Sequence, residues 1–168
     1  MYRFLLIILF ETVSCTTYTC SSNATCGCST ASAIVTKIVG GETASPQTWG
    51  WAASLRYSDT GSHFCGGSII SSSHILTAAH CTVESAASDI RVYVGSIYLS
   101  AATQARDVSR IYNHPDYSSS TYQNDIAILK LSSPLNLDQT NVDLVCLPTL
   151  SSSVLTSGEY PSPGTDVI

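Results

Sequence analysis

A chain of 168 residues with 44% hydrophobic and 11% charged content has room for about one domain with a buried core, and it is too apolar for wholesale disorder. Twelve acidic against seven basic residues give a net charge of −5, and no run of Lys or Arg occurs anywhere. That balance argues against nucleic acid and anionic membrane surfaces as partners.

In chain order, Met1-Tyr2-Arg3 supplies one positive charge, Phe4 to Phe10 is an unbroken apolar run, and polar Glu11 and Thr12 precede Val13-Ser14-Cys15. This arrangement predicts a secretory signal peptide over residues 1–15 rather than a buried first strand. The run falls well short of the roughly 20 apolar residues that span a bilayer, so no membrane anchor is expected once the signal is removed. The cysteine count agrees with export. Seven are present, Cys15, Cys20, Cys26, Cys28, Cys65, Cys81 and Cys146, and a cut after Cys15 leaves six to pair in an oxidising, extracellular setting.

Residues 16–37 are rich in Ser, Thr, Ala and Cys without periodic apolar positions, which predicts a short disulfide-tethered segment with no core of its own. Asn23-Ala24-Thr25 is a glycosylation sequon, making Asn23 a candidate carbohydrate acceptor. From residue 38 onward, short apolar or alternating stretches recur at 51–57, 64–70, 74–77, 90–94, 108–112 and 126–131, separated by Gly, Ser, Asn and Pro. Such a rhythm predicts an all-β antiparallel sandwich or barrel. Only 77–82 reads as a short helical turn, and the serine-rich patches at 71–73, 118–120 and 151–153 read as loops.

Several motifs lie on this frame in a fixed order. They are Lys37-Ile38-Val39-Gly40-Gly41, then Phe64-Cys65-Gly66-Gly67-Ser68, then Leu76-Thr77-Ala78-Ala79-His80-Cys81. After these come His114-Pro115, Asn124-Asp125-Ile126-Ala127 and Cys146-Leu147-Pro148. Each alone is a weak signal. Together, across nearly all of 38–168, they resemble the trypsin/chymotrypsin-like serine proteases, in that family's order and with its spacing. The resemblance implies an antiparallel six-stranded barrel, the first of the two barrels of that fold, with 16–37 as a propeptide and 38–168 as the N-terminal portion of the peptidase domain. It implies a secreted zymogen that an activating protease cleaves between Lys37 and Ile38, acting on protein or peptide substrates without a cofactor.

By the same resemblance His80 is the general base and acid, and Asp125, 45 positions later, is its orienting partner. The chemistry needs that pair. A hydroxyl nucleophile requires a neutral imidazole in the correct tautomer, and a carboxylate on the other ring N–H fixes it. His63, His74 and His114 read as structural or exposed. A zinc site from His63, Cys65, His80 and Cys81 lacks the usual paired-ligand spacing. The family instead joins Cys65 to Cys81 beside the histidine, closing a loop that contributes on the order of 3 kcal/mol. Some relatives bind calcium through carboxylates in the loop after the fourth strand, but Gly95 to Arg106 contains no Asp or Glu, so no metal is expected there.

In chymotrypsin-like relatives the cysteine corresponding to Cys146 can tether the propeptide. Cys146 is thus expected to pair with Cys20, Cys26 or Cys28, the other two pairing together. A Cys26–Cys28 bridge is strained, which favours a bridge involving Cys20.

The 168 residues contain no Gly-Asp-Ser-Gly-Gly segment to supply the nucleophile. In the family that segment and the specificity pocket belong to the second barrel, entered through a Gly-Trp-Gly which Pro163 to Ile168 resembles the approach to. The expectation is therefore a truncated endopeptidase that is inactive alone. The alternative is a secreted binding or decoy module without catalysis, and the retained His80 and Asp125 argue against it.

Overall fold

The computed structural model describes residues 16–18, 24–28, 33–35 and 43–148. The expectations for the signal peptide, for Asn23 and for the Lys37-Ile38 bond fall outside them.

Two short strands come first, β1 (Thr16–Tyr18) and β2 (Ala33–Val35), paired antiparallel with Thr17 opposite Ile34. No strand is expected in this segment from its sequence. Three residues are too few for an alternating pattern to register, although Thr, Tyr, Ile and Val all favour extended backbone.

Six further strands close a barrel. They are β3 (Ala52–Tyr57), β4 (His63–Ser71), β5 (His74–Thr77), β6 (Ile90–Val94), β7 (Gln104–Asn113) and β8 (Ala127–Leu131). Around the barrel the order is β3-β4-β5-β8-β7-β6, every neighbour antiparallel. The chain thus makes two successive meanders, β3-β4-β5 and β6-β7-β8, which join through β3 with β6 and β5 with β8. Closure leaves no strand edge in the barrel unpaired.

The period of two explains why these residues form strands. In β6, Ile90, Val92 and Val94 point inward while Arg91 is exposed, and in β8, Ala127, Leu129 and Leu131 are buried around an exposed Lys130. Leu55, Ile69 and Ile75 complete the centre of the core, and Leu135 and Val142 close it after the last strand. Gly67 allows β4 to lie tightly against β5. A Cβ there would stand 2.7 Å from Ile75 Cγ2 and 2.9 Å from the Leu76 carbonyl oxygen.

All six stretches read from the alternation become barrel strands. The largest departure is β7, which starts at Gln104, four residues before the expected 108. Its first residues are polar, so no apolar alternation marks them. Tertiary bonds hold them instead: the buried Gln104 side chain donates to the Asn136 carbonyl at 2.8 Å and accepts from the Asn136 N–H at 2.9 Å.

Disulfides tie the frame at two places. Cys65 bonds Cys81, and Cys26 bonds Cys146 across 120 positions. The Gly27 N–H adds a 2.7 Å bond to the Leu144 carbonyl beside the second bridge. Cys28 is also disulfide-bonded, with its partner outside the described residues.

Next to that bridge, Asp143 packs its carboxylate onto the Cα of Gly50, and its Oδ2 is buried with no hydrogen-bond partner among the described residues. Burial raises its pKa above the ordinary carboxylate value, because the charged form is poorly solvated there. A raised folded-state value means the folded chain holds the proton more tightly than the unfolded chain. This group's contribution to stability is full below about pH 4, falls as pH rises through the raised value, and stays lost above it. Asp143→Asn should therefore raise the thermal midpoint at pH 7 and leave it little changed at pH 3, as checked by melting curves at both pH values.

Candidate active site

Strand pairing brings together residues 45 positions apart. Thr77, the last residue of β5, sits opposite Ala127, the first of β8. The segment leaving β5 and the segment entering β8 therefore meet at one end of the barrel. The first forms a single 3-10 turn, Ala79–Cys81, and the second carries Asp125.

His80 is fixed by its neighbours on both sides. Ala79 is fully buried, Cys81 is bridged to β4, and the buried Thr82 donates its hydroxyl to Asn113 Oδ1 at 2.6 Å. The turn falls inside the short helical stretch read at 77–82. Asp125 follows Asn124, whose φ of 57° turns the chain sharply. Asn accepts that left-handed geometry better than most side chains, and its amide holds the loop by donating to the Asp116 carbonyl at 2.9 Å.

Both carboxylate oxygens of Asp125 engage His80. Oδ2 lies 2.7 Å from the imidazole Nδ1, and Oδ1 accepts the His80 backbone N–H at 2.8 Å. The His80 side chain is 48% exposed and that of Asp125 is 22% exposed, so the imidazole faces outward over a shielded carboxylate. These bonds hold the Asp125 pKa below the usual carboxylate value, the imidazole bond first and the backbone bond second. With Nδ1–H committed to Asp125, the neutral ring leaves a lone pair on Nε2. Nε2 stands 3.4 Å from Cys81 Sγ, and a disulfide sulfur has no proton to give.

Cys65, His80 and Cys81 cluster closely enough to suggest a metal site, but both sulfurs are consumed by their mutual bond and neither can act as a thiolate ligand. The other histidines are engaged elsewhere. His63 Nδ1 is 2.9 Å from Ser54 Oγ, His74 Nδ1 is 2.9 Å from Ser71 Oγ, and His114 Nδ1 accepts the Asp116 N–H at 3.1 Å. Ser68 lies in β4 opposite Leu76.

Two neighbours of the pair carried no sequence signal. Tyr122 meets the His80 ring edge to face at 6.1 Å. Tyr117 has its phenol pKa raised, first by partial burial and then by the Asp125 charge. Both sit in the irregular loop before β8, where no periodicity marks a functional position.

Residues 38–162 match the family model Trypsin. The chain belongs to the trypsin family. It is 40% identical over 131 residues to Chymotrypsin-C of Mus musculus and 39% identical over 132 residues to Chymotrypsin-C of Rattus norvegicus, matches that cover 74% and 75% of this chain. Each covers 47% of the relative, so this trypsin-family chain spans about half the length of the curated relatives it matches. Among solved structures it is similar to the scabies mite inactivated protease paralogue S-D1. The TM-score is 0.54 at 31% identity, covering 60% of this chain and 42% of that one.

Proposed function

We propose that this trypsin-family chain carries the base and orienting acid of a secreted serine endopeptidase made as a zymogen. The observation that carries the reading is the two-point grip of Asp125 on His80, at 2.7 Å to Nδ1 and 2.8 Å to the backbone N–H. The bond from the His80 backbone N–H positions the carboxylate, and the bond at Nδ1 then holds the ring and its tautomer.

In this reading Nε2 of His80 takes the proton of an attacking hydroxyl and returns it to the leaving amine. Asp125 remains ionised and stabilises the imidazolium between those steps, as its lowered pKa favours. The hydroxyl and the oxyanion-hole donors come from outside these 168 residues, which hold no Gly-Asp-Ser-Gly-Gly segment. Residues 1–15 act as the signal peptide and 16–37 as the propeptide, with Asn23 available for glycosylation. Cleavage at Lys37-Ile38 is the activating step, performed by a second protease.

Assay of the 168-residue chain against a broad peptide library, beside a His80→Ala variant, tests the division of labour. The expected result is no release above background from either. Release that disappears in the variant would place a nucleophile within these residues and contradict the reading.

A further inference from the structure

The peptide unit between Ala79 and His80 is planar, so its carbonyl and its N–H turn together. Its N–H is the one that Asp125 Oδ1 accepts at 2.8 Å. Its carbonyl accepts the Thr82 N–H at 3.0 Å and the Val83 N–H at 2.9 Å. A pull on that carbonyl therefore reaches the carboxylate that holds the imidazole.

The Thr82 hydroxyl stands within reach of the same carbonyl. Its Oγ1 lies 3.3 Å from the Ala79 oxygen but only 2.6 Å from Asn113 Oδ1. A hydroxyl has one proton to donate, and the shorter contact takes it. Thr82 is 1% exposed, so water does not stand in for the asparagine. A threonine that bonds back to a carbonyl three or four residues earlier competes with the backbone bonds of its own turn. Asn113 removes that competitor and ties the exit of the turn to the end of β7. The anchor is well placed, because Asn113 lies in one row with Ala127 of β8 and Thr77 of β5, the strands that Asp125 precedes and His80 follows. The turn needs it, since Ala79–Cys81 is a single 3-10 turn with no side chain capping its start.

We propose that Asn113 is a positioning residue for His80, acting through the Thr82 hydroxyl and the Ala79–His80 peptide on the Asp125 contact. Its functional meaning rests on the reading of His80 as the base, while its geometry is measurable without a nucleophile.

Hydrogen exchange and nitrogen-15 NMR of the uniformly labelled 168-residue chain supply the test. In Asn113→Ala the freed hydroxyl turns to the Ala79 carbonyl. The His80 backbone N–H should then exchange about tenfold faster than in the unsubstituted chain, the factor that corresponds to one net hydrogen bond, and the ring nitrogens should shift toward free-histidine values. Thr82→Val/Asn113→Leu removes both polar partners and leaves neither buried and unpaired. Its melting midpoint should stay close to that of the unsubstituted chain, while the His80 backbone N–H still exchanges faster. Thr82→Ser keeps the hydroxyl and should keep the His80 signals. Exchange at His80 within about twofold of the unsubstituted chain in both Asn113 variants would overturn the proposal. So would an equal acceleration at the Val92 and Leu129 amides, the mark of a general loss of stability. A ring protonated on Nε2 in the unsubstituted chain would instead sink the reading of His80 as the base, and the backbone exchange would still decide the role of Asn113.

Discussion

Asp125→Asn, in a form of the protein that carries the nucleophile-bearing second barrel, is expected to lower kcat by about the 10⁴-fold that the corresponding change costs in trypsin-family enzymes. The physical reason lies in the tautomer. An amide can present its NH₂ toward Nδ1, which stabilises the ring with the proton on Nε2, where it blocks acceptance of the nucleophile's proton. The backbone bond from His80 to Oδ1 can survive in the amide, so the loop should stay in place and KM should move little. A kcat within about tenfold of wild type would correspond to less than 1.4 kcal/mol of transition-state stabilisation from the carboxylate, and would remove Asp125 from its proposed role.

Lys37→Gln should leave the same protein uncleaved by trypsin-like activators, with no rise in activity on their addition. In the unsubstituted protein the cut should have a particular signature. Cys26 lies before the Lys37-Ile38 bond and Cys146 after it, and the two are bridged. The released segment should therefore remain attached on a non-reducing gel and separate only on reduction. Cleavage creates a free amine at Ile38 that can order a binding pocket by pairing with a buried carboxylate, since an unpaired buried charge is costly. Normal activation of the Lys37→Gln variant would show that the switch lies elsewhere.

The barrel was legible because its chemistry is written locally. Ile90-Arg91-Val92-Tyr93-Val94 and Ala127-Ile128-Leu129-Lys130-Leu131 alternate as half-buried strands must. Features set by distant partners were less legible. Gln104 to Asp107 looks polar and loop-like, and becomes strand because the Gln104 amide finds Asn136. Strands β1 and β2 are each too short to show a period.

The site divides in the same way. His80 and Asp125 could be named from their flanking residues, but their two-point contact depends on the β5–β8 register, which no local pattern encodes. Among the three candidate partners of Cys146, the sequence offered no means of selecting Cys26. The placement of Tyr122 against His80 depends on how loops fold over the barrel end, and loop sequence alone does not specify that.

If Asp125 orients His80 as a base, the neutral ring carries its proton on Nδ1 and its lone pair on Nε2. Nitrogen-15 NMR of the histidine-labelled 168-residue chain, at a pH where the ring is neutral, measures this directly and needs no nucleophile. A protonated Nδ1 and a bare Nε2 are expected for His80, with the populations reversed in Asp125→Asn. An Nε2-protonated His80 in the unsubstituted chain, unchanged by the substitution, would contradict it.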